Sequence, residues 1–507
     1  MHAPIFCMHA LIKKVFEIKN KNSAHEGVQH QLIAETRFFT LSELRQELGI
    51  PLVILKKLIV FGSIGVVTIV GGTIHITEEE LLRVKNLLAN RYQRTRLFVK
   101  ALGPGLITGA SDDDPSGIGT YSSVGAQFGF ALLWTAAWLL PMMLAVQEVC
   151  ARIGIVTNKG LAQVIKQYYS RKTVFAVVTL LIIANVANIG ADLGAMASSL
   201  NMLTGINYYV SAIGFALIII AIEVLVHYHL YVKVLKWLTV SVFAYIIAGI
   251  IIQPDWIFVF KNAFIPQIKF NSAYFFAMIA VFGTSITPYL FFWQASEEVE
   301  ENKLVGKKHC GKKEMCDRIS RMRTDVNTGM LLANVVFFFI VLTTAQMLYQ
   351  NGITEIQSSE QAAQALKPLA GKYAYLLFAL GIIGTGLLAV PILAGSGAYA
   401  LAEIMKWREG LEEKFSHARR FYLVIIISIL LGLTLNFFHV NPIKALYYAA
   451  FLNGIIAVPL LVVIMLIGDN HLIMGNERNP HWVRFFGWFS VIAMTMGIGV
   501  MLFLSFK

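Results

Sequence analysis

The sequence predicts an all-α polytopic membrane protein: two inverted five-helix repeats and an eleventh helix, preceded by a small α+β cytosolic domain. Four observations predict it. Of 507 residues, 57% are hydrophobic and only 14% charged, too apolar for a soluble chain of this length. Apolar runs of about 20 residues recur from Ala101 onward, each long enough to cross about 30 Å of hydrocarbon. Segments such as 174–183 and 421–433 are apolar all round, without the polar stripe of a soluble helix. Finally, the first and sixth runs are interrupted by Gly and Pro at corresponding places in the two halves, the pattern of an inverted-repeat bundle.

Residues 1–95 form the N-terminal module and residues 96–507 the membrane domain. Residues 1–22 do not read as a secretory signal, because Lys13 and Lys14 interrupt a short apolar stretch and no small-residue cleavage site follows. Helices are expected over 41–48, with Thr40 as cap and Gly49 as stop, over 51–60 and over 77–88. A hairpin is expected between 66–70 and 73–76 around Gly71-Gly72. Helix–turn–helix plus wing resembles a winged-helix module. A DNA reader fixed to a membrane is unusual, so a cytosolic regulatory or assembly role is expected and no nucleic-acid partner. The four cysteines make no disulfide framework. His309, Cys310 and Cys316 fit no standard zinc spacing and read as a solvated loop.

The spans run 101–128, 131–153, 173–203, 208–227, 232–252, 273–296, 326–349, 371–402, 421–437, 442–467 and 484–505. With the N-terminus inside, 22 Lys and Arg fall in cytoplasmic loops and 6 outside. The positive-inside rule therefore places the N-terminus in the cytoplasm of a multi-pass cytoplasmic-membrane protein. The net charge of +12 is accounted for by that face.

The chemistry sits at the interruptions. The first span reads Gly109-Ala-Ser-Asp-Asp-Asp114-Pro115-Ser116-Gly117, the sixth Gly283-Thr-Ser-Ile-Thr287-Pro288-Tyr289. Proline removes a helix hydrogen bond and glycine permits an unwound backbone. Unpaired backbone groups survive at membrane depth only where protein lines a cavity. Asp112, Asp113 and Asp114 are costly there unless they meet a polar cavity or a cation. Carboxylates with the carbonyls of a half-helix end, and no cysteine nearby, make a hard-cation site. Helical neighbours point about 100° apart, so three adjacent acids cannot all face one ion; Asp114 is the expected ligand, with Asp112 and Asp113 lining the approach. Asn185, Asn188 and Asp192 share one face of span three, and Glu148 lies near the inner end of span two. Both are candidates for the ion pathway or for ordinary interhelical pairing.

These residues resemble the Nramp-type divalent metal transporters. The resemblance is carried by Gly103-Pro104-Gly105, Asp114-Pro115, Gly125-Ala126-Gln127-Phe128-Gly129, Leu132-Leu133-Trp134, Asp192-Leu193, Thr287-Pro288 and Asn453-Gly-Ile-Ile-Ala-Val-Pro459. It covers about residues 100–507 and implies a LeuT-type fold. Metal would be held between the broken spans by Asp114, Gly117, Thr284, Thr287 and Asn453. Several positions depart from the family. Asp-Pro-Gly-Asn is here Asp114-Pro115-Ser116-Gly117, and Ala-x-x-Met-Pro-His is Thr284-Ser-Ile-Thr287-Pro288-Tyr289. Asp-Leu-Ala-Glu is Asp192-Leu193-Gly194-Ala195, and a second histidine position holds Gln294. These changes resemble the Nramp-related magnesium branch.

Losing a thioether and gaining hydroxyl and water ligands suits Mg²⁺ over softer ions. The expectation is Mg²⁺ import, with Mn²⁺ alongside, by alternating access without proton movement. A proton-coupled Mn²⁺/Fe²⁺ transporter is the alternative. An amino-acid or organic-cation carrier of the same fold is a different class, although three aspartates would repel a substrate carboxylate. Asp112, Asp113, Asp192, Tyr289 and Glu148 are the pathway candidates. The partners are the metal ion and the bilayer. No cofactor is expected, and no phosphate loop, zinc-protease motif or nucleophile elbow suggests an enzyme.

Overall fold

Two breaks organise the membrane domain. The computed structural model describes residues 38–40, 68–70, 73–77, 104–226, 239–304, 312–411, 413, 415–438 and 440–506. The chain divides into two units, Met1–Lys100 and Ala101–Lys507.

In the first unit, β1 (Phe38–Thr40), β2 (Thr68–Val70) and β3 (Thr73–Thr77) form an antiparallel sheet in the order β1-β3-β2. β2 and β3 pair around Gly71-Gly72, Val70 opposite Thr73, where a hairpin is expected. β1 adds a strand that was not expected: Phe38–Thr40 pairs with β3, Thr40 opposite His75. Its aromatic and β-branched side chains favour a pleated surface once a partner strand is available. The helices expected over 41–48, 51–60 and 77–88, and the residues His309 and Cys310, lie outside the described residues.

In the second unit, span one is two short helices, α1 (Pro104–Asp112) and α2 (Pro115–Phe128). There follow α3 (Trp134–Thr157), α4 (Leu161–Tyr168), α5 (Arg171–Thr204), α6 (Tyr208–Leu225), α7 (Ala244–Ile251) and α8 (Trp256–Phe264). Span six is again split, into α9 (Ser272–Ser285) and α10 (Pro288–Leu304). The chain ends with α11 (Lys312–Met347), α12 (Ala374–Met405), α13 (Arg419–Leu435), α14 (Pro442–Asp469) and α15 (His481–Ser505). Among the described residues nine helical stretches are long and apolar enough to span, and Ser241–Ile251 is a shorter apolar one. Adding the split span one, these account for the eleven expected spans of an all-α multi-pass membrane protein.

Span seven differs from expectation. α11 begins at Lys312, not near 326, and its 36 residues extend about 54 Å, well beyond the hydrocarbon thickness. Its first turns therefore extend past the hydrocarbon while staying packed, with Ile319 and Met322 buried.

Burial grades from centre to rim. The split sixth span, Ser272–Asn302, is 89% buried over its apolar window, whereas α15 is only 28% buried, so α15 faces the lipid. α5 packs along α12, α13 and α14, and α11 along α1, α2 and α3. Closest approaches occur at glycines. A Cβ on Gly283 of α9 would meet the Gly454 Cα of α14 at 2.7 Å, so both positions need hydrogen for the backbones to touch.

Candidate functional site

Asp114 ends the gap between α1 and α2 in an extended conformation (φ −67°, ψ 172°) and caps α2, with Pro115 in its first turn. Its Oδ1 accepts from the Gly117 N–H at 2.7 Å and from the Ser116 hydroxyl at 2.6 Å. Aspartate as N-cap with proline following is a strong helix start, and it leaves Oδ2 buried without a partner among the described residues. Gly117 therefore presents an N–H to the site rather than an oxygen. Its own carbonyl lies within α2.

The second break faces the first. Thr284, in the last turn of α9, lies 3.4 Å from Ser116, and Tyr121 and Ser285 share a hydrogen bond of 2.9 Å. Thr287 follows, its hydroxyl buried and without a partner among the described residues. On α14, next to the Gly454 that meets Gly283 of α9, Asn453 is buried and its Nδ2 is unpartnered among the described residues. Rotation about its last torsion exchanges donor for acceptor.

Tyr289 opens α10 and donates to the Ser111 carbonyl at 2.8 Å. It thus caps one of the carbonyls that the end of α1 leaves open and ties the two half-helices together. Asp112, Asp113 and Asp192 are buried. Both carboxylate oxygens of Asp112 and Asp192, and Oδ1 of Asp113, have no hydrogen-bond partner among the described residues. Asp192 lies within electrostatic reach of Asp114. On the same face of α5, Asn185 bonds the Leu393 carbonyl and Ser396 of α12. The stripe thus divides into a structural Asn185 and unsatisfied Asn188 and Asp192.

Buried polar groups are nearly always paired, and burying an unpaired carboxylate costs several kcal/mol. The unpartnered oxygens of Asp112, Asp113, Asp114, Asp192 and Thr287 are exceptions to that rule among the described residues. Among the described residues no three His, Cys, Asp or Glu side chains converge on one point. Sequence reasoning missed Ser116 and the buried, unpartnered hydroxyls of Thr120 and Ser122. The signal was the density of hydroxyl residues along α2.

The arginine-rich end of the bundle is closed. Gly105 N–H donates to Asp325 Oδ2 at 2.6 Å. Thr108 donates to Gln294 Oε1 at 2.6 Å, and Gln294 Nε2 to Glu298 at 3.0 Å. Gln294 thus fastens α1 to α10. Gly109 packs on the Gly329 backbone of α11. Glu148, fully buried, accepts from Arg152 and, at 2.8 Å, from Arg323 of α11. At the opposite end a cavity of about 520 Å³ is lined by Ser123, Gln127, Glu355, Lys444 and Tyr447 among others. Ser123 lies roughly 13 Å along the helix from Asp114.

Comparison with known proteins agrees with this architecture. A family model described as natural resistance-associated macrophage protein-like (Nramp) matches residues 105–505. A divalent metal cation transporter, MntH, of Klebsiella pneumoniae subsp. pneumoniae is 27% identical over 420 residues, covering 82% of this chain and 96% of its own. The structure of an Eremococcus coleocola manganese transporter superposes with a TM-score of 0.63 at 19% identity, covering 79% of this chain and 86% of that one. Mhp1, a nucleobase-cation-symport-1 family transporter, superposes at 0.50 with 14% identity, covering 80% and 93%. The fold is LeuT-type.

Proposed function

The chain belongs to the Nramp family of transporters, and from that premise we propose that it carries a hard divalent cation, Mg²⁺ with Mn²⁺ alongside, into the cell by alternating access. The observation that carries this reading is the pair of buried, unsatisfied oxygens at the two breaks, Asp114 Oδ2 and Thr287 Oγ1. We assign Asp114, Thr284, Thr287 and Asn453 to the ion and Asp112, Asp113 and Asp192 to its approach. Gly117 shapes the site through its N–H, and Tyr289 fixes the half-helices around it. Glu148, held by two arginines, belongs to the closed end.

The donor set supports Mg²⁺. Oxygen ligands without thioether or thiolate favour hard ions, and Mg²⁺ prefers a site that lets it keep several waters. Transport without protons is energetically sufficient. At about 100 mV a doubly charged ion gains roughly 4.6 kcal/mol, equivalent to a gradient of about 2,000-fold. The N-terminus is assigned to the cytoplasm by its position relative to the arginine-rich loops, and the module of residues 1–95 to regulation or assembly there.

Proton-coupled Mn²⁺ transport is the second reading. Its manganese part is favoured by the name of the Eremococcus relative, a manganese transporter, and its proton part would use Asp192 or Asp114 as carrier. Uptake of Mg²⁺, Mn²⁺ and Ca²⁺ into proteoliposomes containing a pH-sensitive dye separates the two. Mg²⁺ uptake without acidification supports the first reading; Mn²⁺-only uptake with matching acidification overturns it.

A further inference from the structure

Away from the transport site, the cytoplasmic ends of α12 and α13 enclose a cavity of about 360 Å³ lined by Lys406, Trp407, Arg408, His417, Arg419 and Arg420, with Ser416 and Ala418. Four permanent cations share this small space. Glu413 pairs with Arg408 at 2.9 Å and lies 3.8 Å from His417. Arg420 lies over the Trp407 ring at 5.6 Å. Among the described residues Lys406 and Arg419 form no ion pair. The 17-residue α13 begins at Arg419, and its N-cap, Ala418, supplies no side-chain acceptor. The first-turn amides and the positive end of the helix dipole therefore add to the same field.

Cationic loops follow from membrane topology alone. A cavity that gathers four of them at an uncapped helix start does not. We propose that this cavity binds the phosphate headgroup of an anionic phospholipid of the cytoplasmic leaflet. Basic pockets between spans on that side take such headgroups, and a guanidinium fork matches phosphate oxygens. Exposed apolar side chains flank the cavity on both helices: Met405 on α12, Leu423 on α13, and Phe415 between them. Acyl chains would cover these, whereas a free phosphate ion would gain nothing from them. The headgroup bridges the ends of α12 and α13, and α12 packs along α5 and α10, so the site joins lipid composition to the frame around the breaks.

Native mass spectrometry of the full-length protein, titrated with phosphatidylglycerol or phosphatidylcholine, tests this. The wild type is expected to bind a first phosphatidylglycerol more tightly than phosphatidylcholine. Lys406→Asn/Arg419→Gln should weaken that first phosphatidylglycerol roughly thirtyfold, from about fivefold per charge removed, and leave phosphatidylcholine binding unchanged. Asparagine is chosen because Lys406 sits at φ 57°, a conformation asparagine tolerates. Arg419→Gln alone should lose about fivefold and serves if the double variant does not fold. Arg171→Gln/Lys172→Gln removes two exposed cations at the start of α5 and should change binding little. Equal loss in both doubles would mean general surface attraction and overturn the site. So would absence of any phosphatidylglycerol preference in the wild type. Displacement of the lipid by millimolar inorganic phosphate would assign the cavity to a free anion instead.

Discussion

Removing the charge of Glu148 exposes what closes the arginine-rich end. Glu148 and Arg152 are 1% and 3% exposed at their side chains, and Arg323 is 39% exposed. Glu148→Gln keeps the shape and one acceptor but strands Arg152 as a buried, uncompensated cation. Breaking a buried pair in this way costs about 3–5 kcal/mol. The loss at Arg323 adds well under 1 kcal/mol, because its head reaches water. Replacing both buried partners, as Glu148→Leu/Arg152→Leu, removes the uncompensated charge and should recover most of that loss. The assay is thermal unfolding of the purified protein followed by metal uptake. A wild-type midpoint for Glu148→Gln refutes the electrostatic account of this end. A well-folded Leu/Leu double that no longer takes up metal shows instead that the Glu148 carboxylate serves the ion pathway.

Three further outcomes are expected. Gly109→Ala places a Cβ 2.5 Å from the Gly329 Cα, where about 3.4 Å or more is needed, so α1 and α11 must part. At about 1–3 kcal/mol for overpacking, opening of α1 should rise roughly 5- to 150-fold, and unchanged hydrogen exchange in α1 would contradict it. Thr287→Met adds a thioether beside Asp114 and should raise Mn²⁺ and Cd²⁺ uptake relative to Mg²⁺; an unaltered ratio in competition assays counts against Thr287 as a ligand. Lys444, 2.6 Å away, holds the Glu355 carboxyl below its ordinary range, first by hydrogen bonding and then by charge. A depressed carboxyl keeps its pairing above the unfolded value and loses it only as pH falls through the folded one. Lys444→Gln should therefore leave the pH dependence of uptake between about pH 6 and 8 unchanged; a new titration in that range would refute the assignment.

The interruptions were legible because glycine, proline and acids inside apolar runs violate the rules of a membrane helix at identifiable places. Asp114 and Thr287 were singled out that way, and Asn453 by the family resemblance alone. What adjacency does on the backbone was less legible. Capping directs one oxygen of Asp114 to the Gly117 N–H and the Ser116 hydroxyl, a pairing that residue type alone does not reveal. Tyr289 and Gln294 could be read only as missing histidines. Their bonds to the Ser111 carbonyl and to Thr108 span more than 170 residues, a separation at which sequence pattern carries no pairing information. Glu148 was ambiguous for the same reason, since Arg323 comes from span seven. The β1 strand was hidden because Phe38–Thr40 acquires its partner only at β3.

Uptake by Asp114→Asn, set beside wild type in proteoliposomes offered Mg²⁺, Mn²⁺ or Ca²⁺, tests the central claim most directly. Asparagine is as good an N-cap as aspartate, so the start of α2 and its bonds to Ser116 and Gly117 survive while the charge at the break is lost. The account predicts a folded protein with no uptake of any of the three ions, against a wild type that carries Mg²⁺. Near-normal uptake by folded Asp114→Asn, or a wild type that excludes Mg²⁺, would contradict it.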